Sequence, residues 1–479
     1  MNNAQINAKA LFAGLMVRVV VSIPSFGWRI KWPTCAASLL LVLIGFATAT
    51  PINAQVHDAT PLELSGYSLS EAYDIEDDQP LNLESPHINK LLYRIKKTSP
   101  QSRHEYQGHS KNVTWEKITT TPEDYRCWVF QRRLTLKKVT KHRFVDAAKD
   151  TEIKGVFICH CENDLQQPVT VLSRTMPRKL RIDTELNEPI SINGFLFARS
   201  KEAAEAKPKM VFVVDRIAWF PSTEQAGIAT PSHVKLASAG VDIGLLDWVE
   251  ESNTRRLGNR DSEAFYQMIA AMKKTSLGVD SPNPLSFVDL MQNASTNFGD
   301  QARIKGVVRS VTEVFISNPD IKQRLGVSRY YQLMMFPDLD GGKIVVKNKS
   351  GDDLEYRRFP ITVCCLELPE GMTASEIERK PMVVEGFFFR FWKYQSDLTD
   401  TAGTSGQVSP LIIAKSPTII ESQESRLNLI LLIFVSALIA GVAILLWTYR
   451  IVDRRQKSPG QKILETLPDK LDLTGVQDN

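Results

Sequence analysis

The chain has 479 residues, 43% hydrophobic, 23% charged and 8% aromatic, ordinary globular usage that excludes a disordered, collagen-like, coiled-coil or multi-span membrane protein. Lys and Arg number 58 against 54 Asp and Glu, a formal charge of +4 that is too small to point to nucleic acid by itself. Six cysteines at this length do not make a disulfide scaffold.

Arg18, Arg29 and Lys31 precede the apolar stretch Ala36–Phe46, which is followed by Ala47, Thr48 and Ala49. A basic region, a short apolar core and an A-x-A site describe a secretory signal peptide over residues 1–54, cleaved after Ala49 or Ala54. The alternative is an uncleaved signal anchor, because the leader is long; Met16 is a second candidate start. Residues 55–110 read as a polar arm or linker, acidic through Glu71, Asp74, Glu76, Asp77, Asp78 and Glu84. From Lys90 to Arg143 the balance turns basic, with Arg94, Lys96, Lys97, Arg132, Arg133, Lys137, Lys138 and Lys141. Such a stretch can meet anionic glycans, lipid headgroups or nucleic acid, but solvated strand faces and loops are the favoured reading. Tyr125, Trp128 and Phe130 are assigned to core rather than to base stacking.

An internal repeat organises the middle of the chain. Val169–Phe197 aligns without a gap on Ile361–Phe389 at an offset of about 192 residues. Thr170, Val171, Pro177, Pro189, Gly194, Phe195 and Phe197 fall on Thr362, Val363, Pro369, Pro381, Gly386, Phe387 and Phe389. The repeat predicts two related β domains, residues 111–222 and 286–421, the first the shorter, joined by a helical connector over 223–285. Strands are predicted at Tyr125–Val139, Ile153–Cys161 and Met210–Asp215, then at Arg303–Val314, Tyr330–Phe336, Lys343–Val346, Phe359–Leu366, Pro381–Trp392 and Leu411–Lys415, from alternation and apolar runs. Gly386 inside an aromatic strand predicts a bulge or sharp bend. Thr373 and Glu376 form a capping box for a short helix, and Asn318–Val327 predicts a helical turn. Asp261–Ser276 predicts a helix whose Phe265, Met268, Ile269 and Met272 dock the two domains together. The expected fold is mainly β with minor α: two small OB-like β-barrels, a connecting helix and a C-terminal membrane helix.

Leu427–Trp447 is an uncharged apolar run. About 20 such residues cross a hydrocarbon core as a helix, since each backbone polar group must be satisfied inside the segment. Arg450, Arg454, Arg455 and Lys457 follow the span, so the tail, residues 448–479, is expected in the cytoplasm and the bulk of the chain outside it.

Four segments, Glu263–Met272, Asp320–Gln332, Leu368–Met372 and Val384–Tyr394, give the chain a resemblance. It resembles a family of exported, membrane-anchored bacterial proteins of unassigned function. The resemblance implies architecture and brings no catalytic or ligand residues.

Chemistry-bearing motifs are sparse. Cys159, His160 and Cys161 supply zinc or copper ligand types, yet on a strand the two thiols face away from the imidazole. They are the metal candidates, with packing the favoured reading. Cys364 and Cys365 are adjacent on a strand, and a bridge between neighbours is strained; a bridge from Cys127 to Cys159 or Cys161 stays open. Asp338, Asp340, Asp352 and Asp353 do not continue as a calcium loop, and a turn between strands explains them better. No nucleophile elbow, zinc-protease helix, P-loop or dinucleotide fingerprint occurs. No catalytic residue and no cofactor is assigned. The expected role is a non-catalytic, membrane-tethered extracytoplasmic binding protein. Its partners would be the lipid bilayer and an envelope protein or glycan, not nucleic acid. The alternatives are an envelope enzyme with a site between the two domains, or metal or redox handling at Cys159-His160-Cys161.

Overall fold

A computed structural model describes Gly66, Ser68 and residues 71–72, 74–145, 152–202, 207–274, 283–293, 295–339, 344–347, 353–356, 359–377, 379–394, 407–420 and 423–456. The signal segment 1–54 and the tail from Lys457 onward lie outside them. The chain divides into two units, Met1–Asp58 and Ala59–Asn479, and every described residue belongs to the second. The described part is mainly β, with two sheets, short helices and one long apolar helix.

The first sheet contains β1 (Val129–Arg143), β2 (Gly155–Glu162), β3 (Pro168–Thr175), β4 (Glu185–Ser200) and β5 (Lys209–Trp219). It closes on itself in the order β1-β2-β3-β5-β4. Only β3 and β5 run parallel. On β1, Leu134 and Leu136 face inward while Arg133 stays exposed. An irregularity between Leu136 and Lys138 resets the period, so Val139 also faces inward. The other face of the sheet is buried too. Leu172, Phe195, Phe197, Val211 and Val213 pack under α1 (Pro86–Lys97) through Ile88, Leu91, Leu92 and Ile95. Burial on both faces explains the unbroken apolar run of β5.

That helix corrects the polar-arm reading of 55–110. Ser85 Oγ accepts the His87 N–H, Pro86 opens the first turn, and Arg94, Lys96 and Lys97 close the last one. The four apolar residues share one face of an otherwise polar segment, so mean composition hid them. A second helix, α2 (Pro100–Ser110), packs along β1, and α3 (Trp115–Thr120) leads to the sheet.

The second sheet contains β6 (Gln301–Phe315), β7 (Arg329–Pro337), β10 (Ile361–Cys365), β11 (Pro381–Tyr394), β12 (Gln407–Ala414) and β13 (Thr418–Ile419). Its order is β12-β10-β7-β6-β11-β13, and β12 also pairs with β11. Strands β6, β7, β10, β12 and β11 therefore form a ring in the same sequence as the first, again with one parallel pair, β10 with β12. A separate hairpin, β8 (Ile344–Lys347) and β9 (Asp353–Tyr356), is inserted between β7 and β10. Short helices interrupt this ring: α8 (Pro319–Leu325) before β7 and α9 (Ala374–Ile377) before β11. The latter is capped by the Thr373 N–H donating to Glu376 Oε2 at 2.7 Å.

Local detail matches between the rings. A Cβ on Gly194 would lie 2.2 Å from Val213 O, and one on Gly386 would lie 2.5 Å from Ile413 O. Gly386 thus marks a close backbone approach; of the bulge or sharp bend expected there, a bulge does occur, but further along the strand. The register of β11 shifts between Phe388 and Arg390, and that of β4 between Leu196 and Ala198, leaving Phe389 and Phe197 as extra residues; β4 has a second shift, between Ile192 and Gly194, with no counterpart in β11.

A short strap precedes each ring. Asp78 and Thr254 both have positive φ, 60° and 65°. The Asp78 N–H donates to Arg199 O, and the Thr254 N–H to Phe391 O. One residue on, the Lys201 N–H donates to Gln79 O, and the Lys393 N–H to Arg255 O. Asp77 Oδ1 accepts the Arg199 N–H at 2.7 Å, and Asn253 Oδ1 accepts the Phe391 N–H at 2.9 Å. Each strap leads to a helix with four buried apolar residues at i, i+3, i+4 and i+7. In the second case this is α6 (Asn259–Ala271), whose Phe265 meets Tyr330 and Phe389 edge-on.

Between β5 and α6 run α4 (Pro231–Ser238) and α5 (Leu246–Glu251); α7 (Phe287–Gln292) precedes β6. The second strap is locked by a buried ion pair. Arg390 Nη1 lies 2.7 Å from Asp261 Oδ2, with both side chains 0% exposed, and it also donates to Ser252 O. After β13 the chain enters α10 (Gln423–Gln456).

Candidate functional site

A cavity of about 210 Å³ opens where the β3–β4 loop, α5 and the residues leading to β6 meet. Pro177, Trp219, Ile243, Leu246 and Phe298 give it an apolar wall, and Asp247 and Glu250 project from α5. Burial pushes the Asp247 carboxyl above the usual carboxylate range, opposed by the Arg178 N–H donating to Oδ2 at 2.8 Å. A smaller hollow of about 130 Å³ shares Lys179 and reaches Glu188 and Gln225.

The walls are fixed by polar contacts that sequence reading did not find. Glu188 Oε2 accepts the Trp219 Nε1–H at 2.9 Å, which orients the indole. Asp242 accepts the N–H groups of Trp219 and Gly244 at 2.9 and 3.0 Å and pairs with Arg216. The Arg216 guanidinium lies 5.0 Å from the centre of the Trp248 ring. The Asp242 N–H in turn donates to Gln267 of α6 at 3.0 Å, so one carboxylate ties β5 to the connector. His233 accepts the Thr230 N–H on Nδ1 and donates from Nε2 to Phe298 O at 2.8 Å. Burial lowers its pKa, which keeps a structural imidazole neutral. Chemically the cleft suits an apolar body with one polar or cationic group. Its two lining carboxylates share the cleft with Lys179, Ser295 and Thr296, and no histidine or cysteine is among the lining residues.

Cys159, His160 and Cys161 fall on β2. Both thiols face the interior of the ring, opposite Val139 and Leu136, while His160 lies half-buried on the other face. Burial pushes Cys159 up to about 12 and Cys161 well above the usual thiol range, the reverse of what a metal-binding thiolate needs. Among the described residues no group of three or more His, Cys, Asp or Glu side chains converges. Cys159, Cys161, Cys364 and Cys365 are free thiols. Cys127 sits in the separate core under α1, so the bridge left open to Cys159 or Cys161 does not form. Asp340 and Asp352 lie outside the described residues.

The basic stretch is largely engaged. The Arg132 guanidinium covers the rings of Phe130 and Trp115, Lys137 pairs with Glu162, Lys96 pairs with Glu152 and Lys141 covers Phe157. Phe130 is fully buried, and Tyr125 packs edge-on against Trp128.

Leu427 and Trp447 both fall inside α10. Within its segment Ile430–Arg454 an 18-residue stretch has a mean hydropathy of 2.9 and is 0% buried, long and apolar enough to cross a membrane. Arg450 and Arg454 are exposed near its end, Arg455 follows on the same helix, and Lys457 lies outside the described residues.

No protein-family model and no curated protein matches the chain. Among solved structures, a deletion variant of the single-stranded DNA binding protein from Thermus aquaticus aligns at 11% identity. The alignment covers 61% of this chain and 94% of that one, with a TM-score of 0.16. The wild-type protein gives 11%, 61%, 92% and 0.15. At such scores the likeness carries nothing about function.

Proposed function

We propose that the protein is a membrane-tethered, extracytoplasmic binding protein, built from two OB-like barrels that descend from one duplicated unit and acting without catalysis. The observation that carries this reading is α10, an exposed apolar helix that starts four residues after β13 ends. Among the described residues no core covers it, and lipid is the solvent its side chains suit. The cations at its C-terminal end favour a cytoplasmic tail, which leaves the two rings on the opposite side. This agrees with the resemblance to exported, membrane-anchored bacterial proteins. The shared strand order, the parallel third and fifth strands, and α9 between the third and fourth strands support the OB-like reading. The ligand, an envelope protein or glycan, would enter the cleft beside Trp219.

The raised carboxyl of Asp247 beside Glu250 is the one observation that favours an envelope enzyme instead. The two readings separate on the full chain in nanodiscs, compared with Thr296→Trp, which fills the cleft. Binding of an envelope protein or glycan that the variant loses supports the proposal. Binding untouched by the variant, or turnover of a substrate panel, overturns it.

A further inference from the structure

The two straps correspond residue by residue, so the site of Arg390 has a counterpart in the first ring. Gln79 bonds to Lys201 as Arg255 bonds to Lys393, and Phe197 takes the extra position in β4 as Phe389 does in β11. The residue after Phe197 is Ala198, where the residue after Phe389 is Arg390. In the second ring the Arg390 side chain fills the space between strand, strap and helix start. There it meets Asp261 at 2.7 Å and donates to the carbonyl of Ser252. In the first ring alanine leaves that space open. A cavity of about 260 Å³ lies there, lined by Asp74, Glu76, Asn82, Ser85, Ala198 and Arg199 among others, the arginine itself being paired with Asp78.

Its charge suits what is missing. The neighbouring acids Glu71, Asp77, Asp78 and Glu84 are engaged with Lys90, Arg126, Arg199 and His142. Asp74 and Glu76 have no cationic partner among the described residues and line the cavity. Strap position 76 corresponds to Ser252, whose carbonyl receives Arg390. A cavity with two carboxylates that have no cationic partner among the described residues stands where the sister unit seats a guanidinium.

We propose that the cavity beside Ala198 is an arginine socket, which binds the guanidinium head of an arginine side chain supplied by a partner protein, as Arg390 fills the sister socket within the chain. A guanidinium is more weakly hydrated than a lysine ammonium and so tolerates such a seat better, as Arg390 shows: only Nη1 is bonded, and Nε and Nη2 are buried with no partner among the described residues.

The test uses the full chain in nanodiscs and hydrogen exchange of residues 74–87. The probes are N-acetyl-arginine amide, the lysine counterpart and the neutral citrulline counterpart. At ten times its dissociation constant the arginine probe slows exchange about tenfold where it stabilises the strap, by mass action. Citrulline has no such effect and lysine a smaller one. Ala198→Arg slows exchange without ligand and abolishes the response; should that variant fail to fold, Glu76→Gln must weaken the response. Arg390→Ala regains thermal stability with ethylguanidinium, which reports the sister socket. Equal slowing by citrulline, a response that survives both variants, or no slowing in the wild type overturns the proposal.

Discussion

Replacing Asp261 with alanine perturbs the most buried charge in the described structure. The change removes three contacts together: Arg390 Nη1 at 2.7 Å, Ser252 Oγ at 2.9 Å and the Gly258 N–H at 2.9 Å. It also strands a guanidinium that has no exposed surface. Burial already lowers the pKa of Arg390, and Asp261 is the group that opposes the shift. Removing one member of a buried pair costs about 3–5 kcal/mol, because the remaining charge is left without compensation. With an m value of about 2 kcal/mol per molar urea, the midpoint falls by roughly 2 M. Tryptophan fluorescence of the full chain in detergent micelles, titrated with urea, reads this directly. The half-exposed surface pair Arg329–Glu313 is the control, and Glu313→Ala should cost about 0–1 kcal/mol. The double variant Arg390→Met with Asp261→Leu should recover most of the loss, since no charge then stays buried. The reasoning is refuted if Asp261→Ala shifts the midpoint no more than Glu313→Ala, or if the double variant is as unstable as the single one.

Other predictions test different parts of the molecule. Gly194→Ala and Gly386→Ala should each cost about 1–3 kcal/mol, because the added carbon meets a neighbouring carbonyl. Gly108→Ala on the exposed face of α2 should instead gain about 0.5–1 kcal/mol; thermal melts of the three variants check the contrast. Leu91→Ala on α1 should cost about 2–5 kcal/mol and speed exchange in β5, an effect a solvated arm would not produce. Asp247 has its carboxyl raised by burial in the fold, so the fold binds its proton more tightly than the unfolded chain does. Stability is therefore lost as pH rises from the ordinary carboxylate value through the raised one. Asp247→Asn should stabilise the protein at neutral pH and make no difference in acid below the ordinary value, as melts at both pH values will tell. A thiol placed at the tail by Lys457→Cys should resist an impermeant maleimide in intact cells and react after permeabilisation; labelling in intact cells would reverse the topology.

Legibility followed the range of the interactions. The helix of α6 and its buried stripe could be read because period and contacts lie within a few turns. Most strands of both rings emerged within about four residues of their ends, since alternation is local and only pairing partners are remote; β3 and β4 were read only as a repeated segment, and Lys343–Val346 belongs to the separate hairpin. The α1 helix was hidden by averaging, as four apolar residues were diluted among basic neighbours. Cys159 and Cys161 were read as packing, and their place opposite Val139 and Leu136 gives the reason. Asp261 looked like one more acid at a helix start, and nothing local announced that its partner, Arg390, arrives from a distant strand.

By itself the amino-acid order determined whatever depends on runs and periods: an apolar segment long enough for lipid, alternating strands, the paired glycines and phenylalanines of the two β segments. Hydrophobicity and backbone reach act along the chain, so those features are written in consecutive residues. Only the tertiary structure decided which strands close the rings, where along β11 the bulge falls, and how two straps of unlike sequence come to make the same bonds. It also decided that Arg390 is buried against one strap while Ala198 lines an open cavity beside the other. Those outcomes depend on burial and on carbonyls delivered from far along the chain, and no window of neighbouring residues contains them.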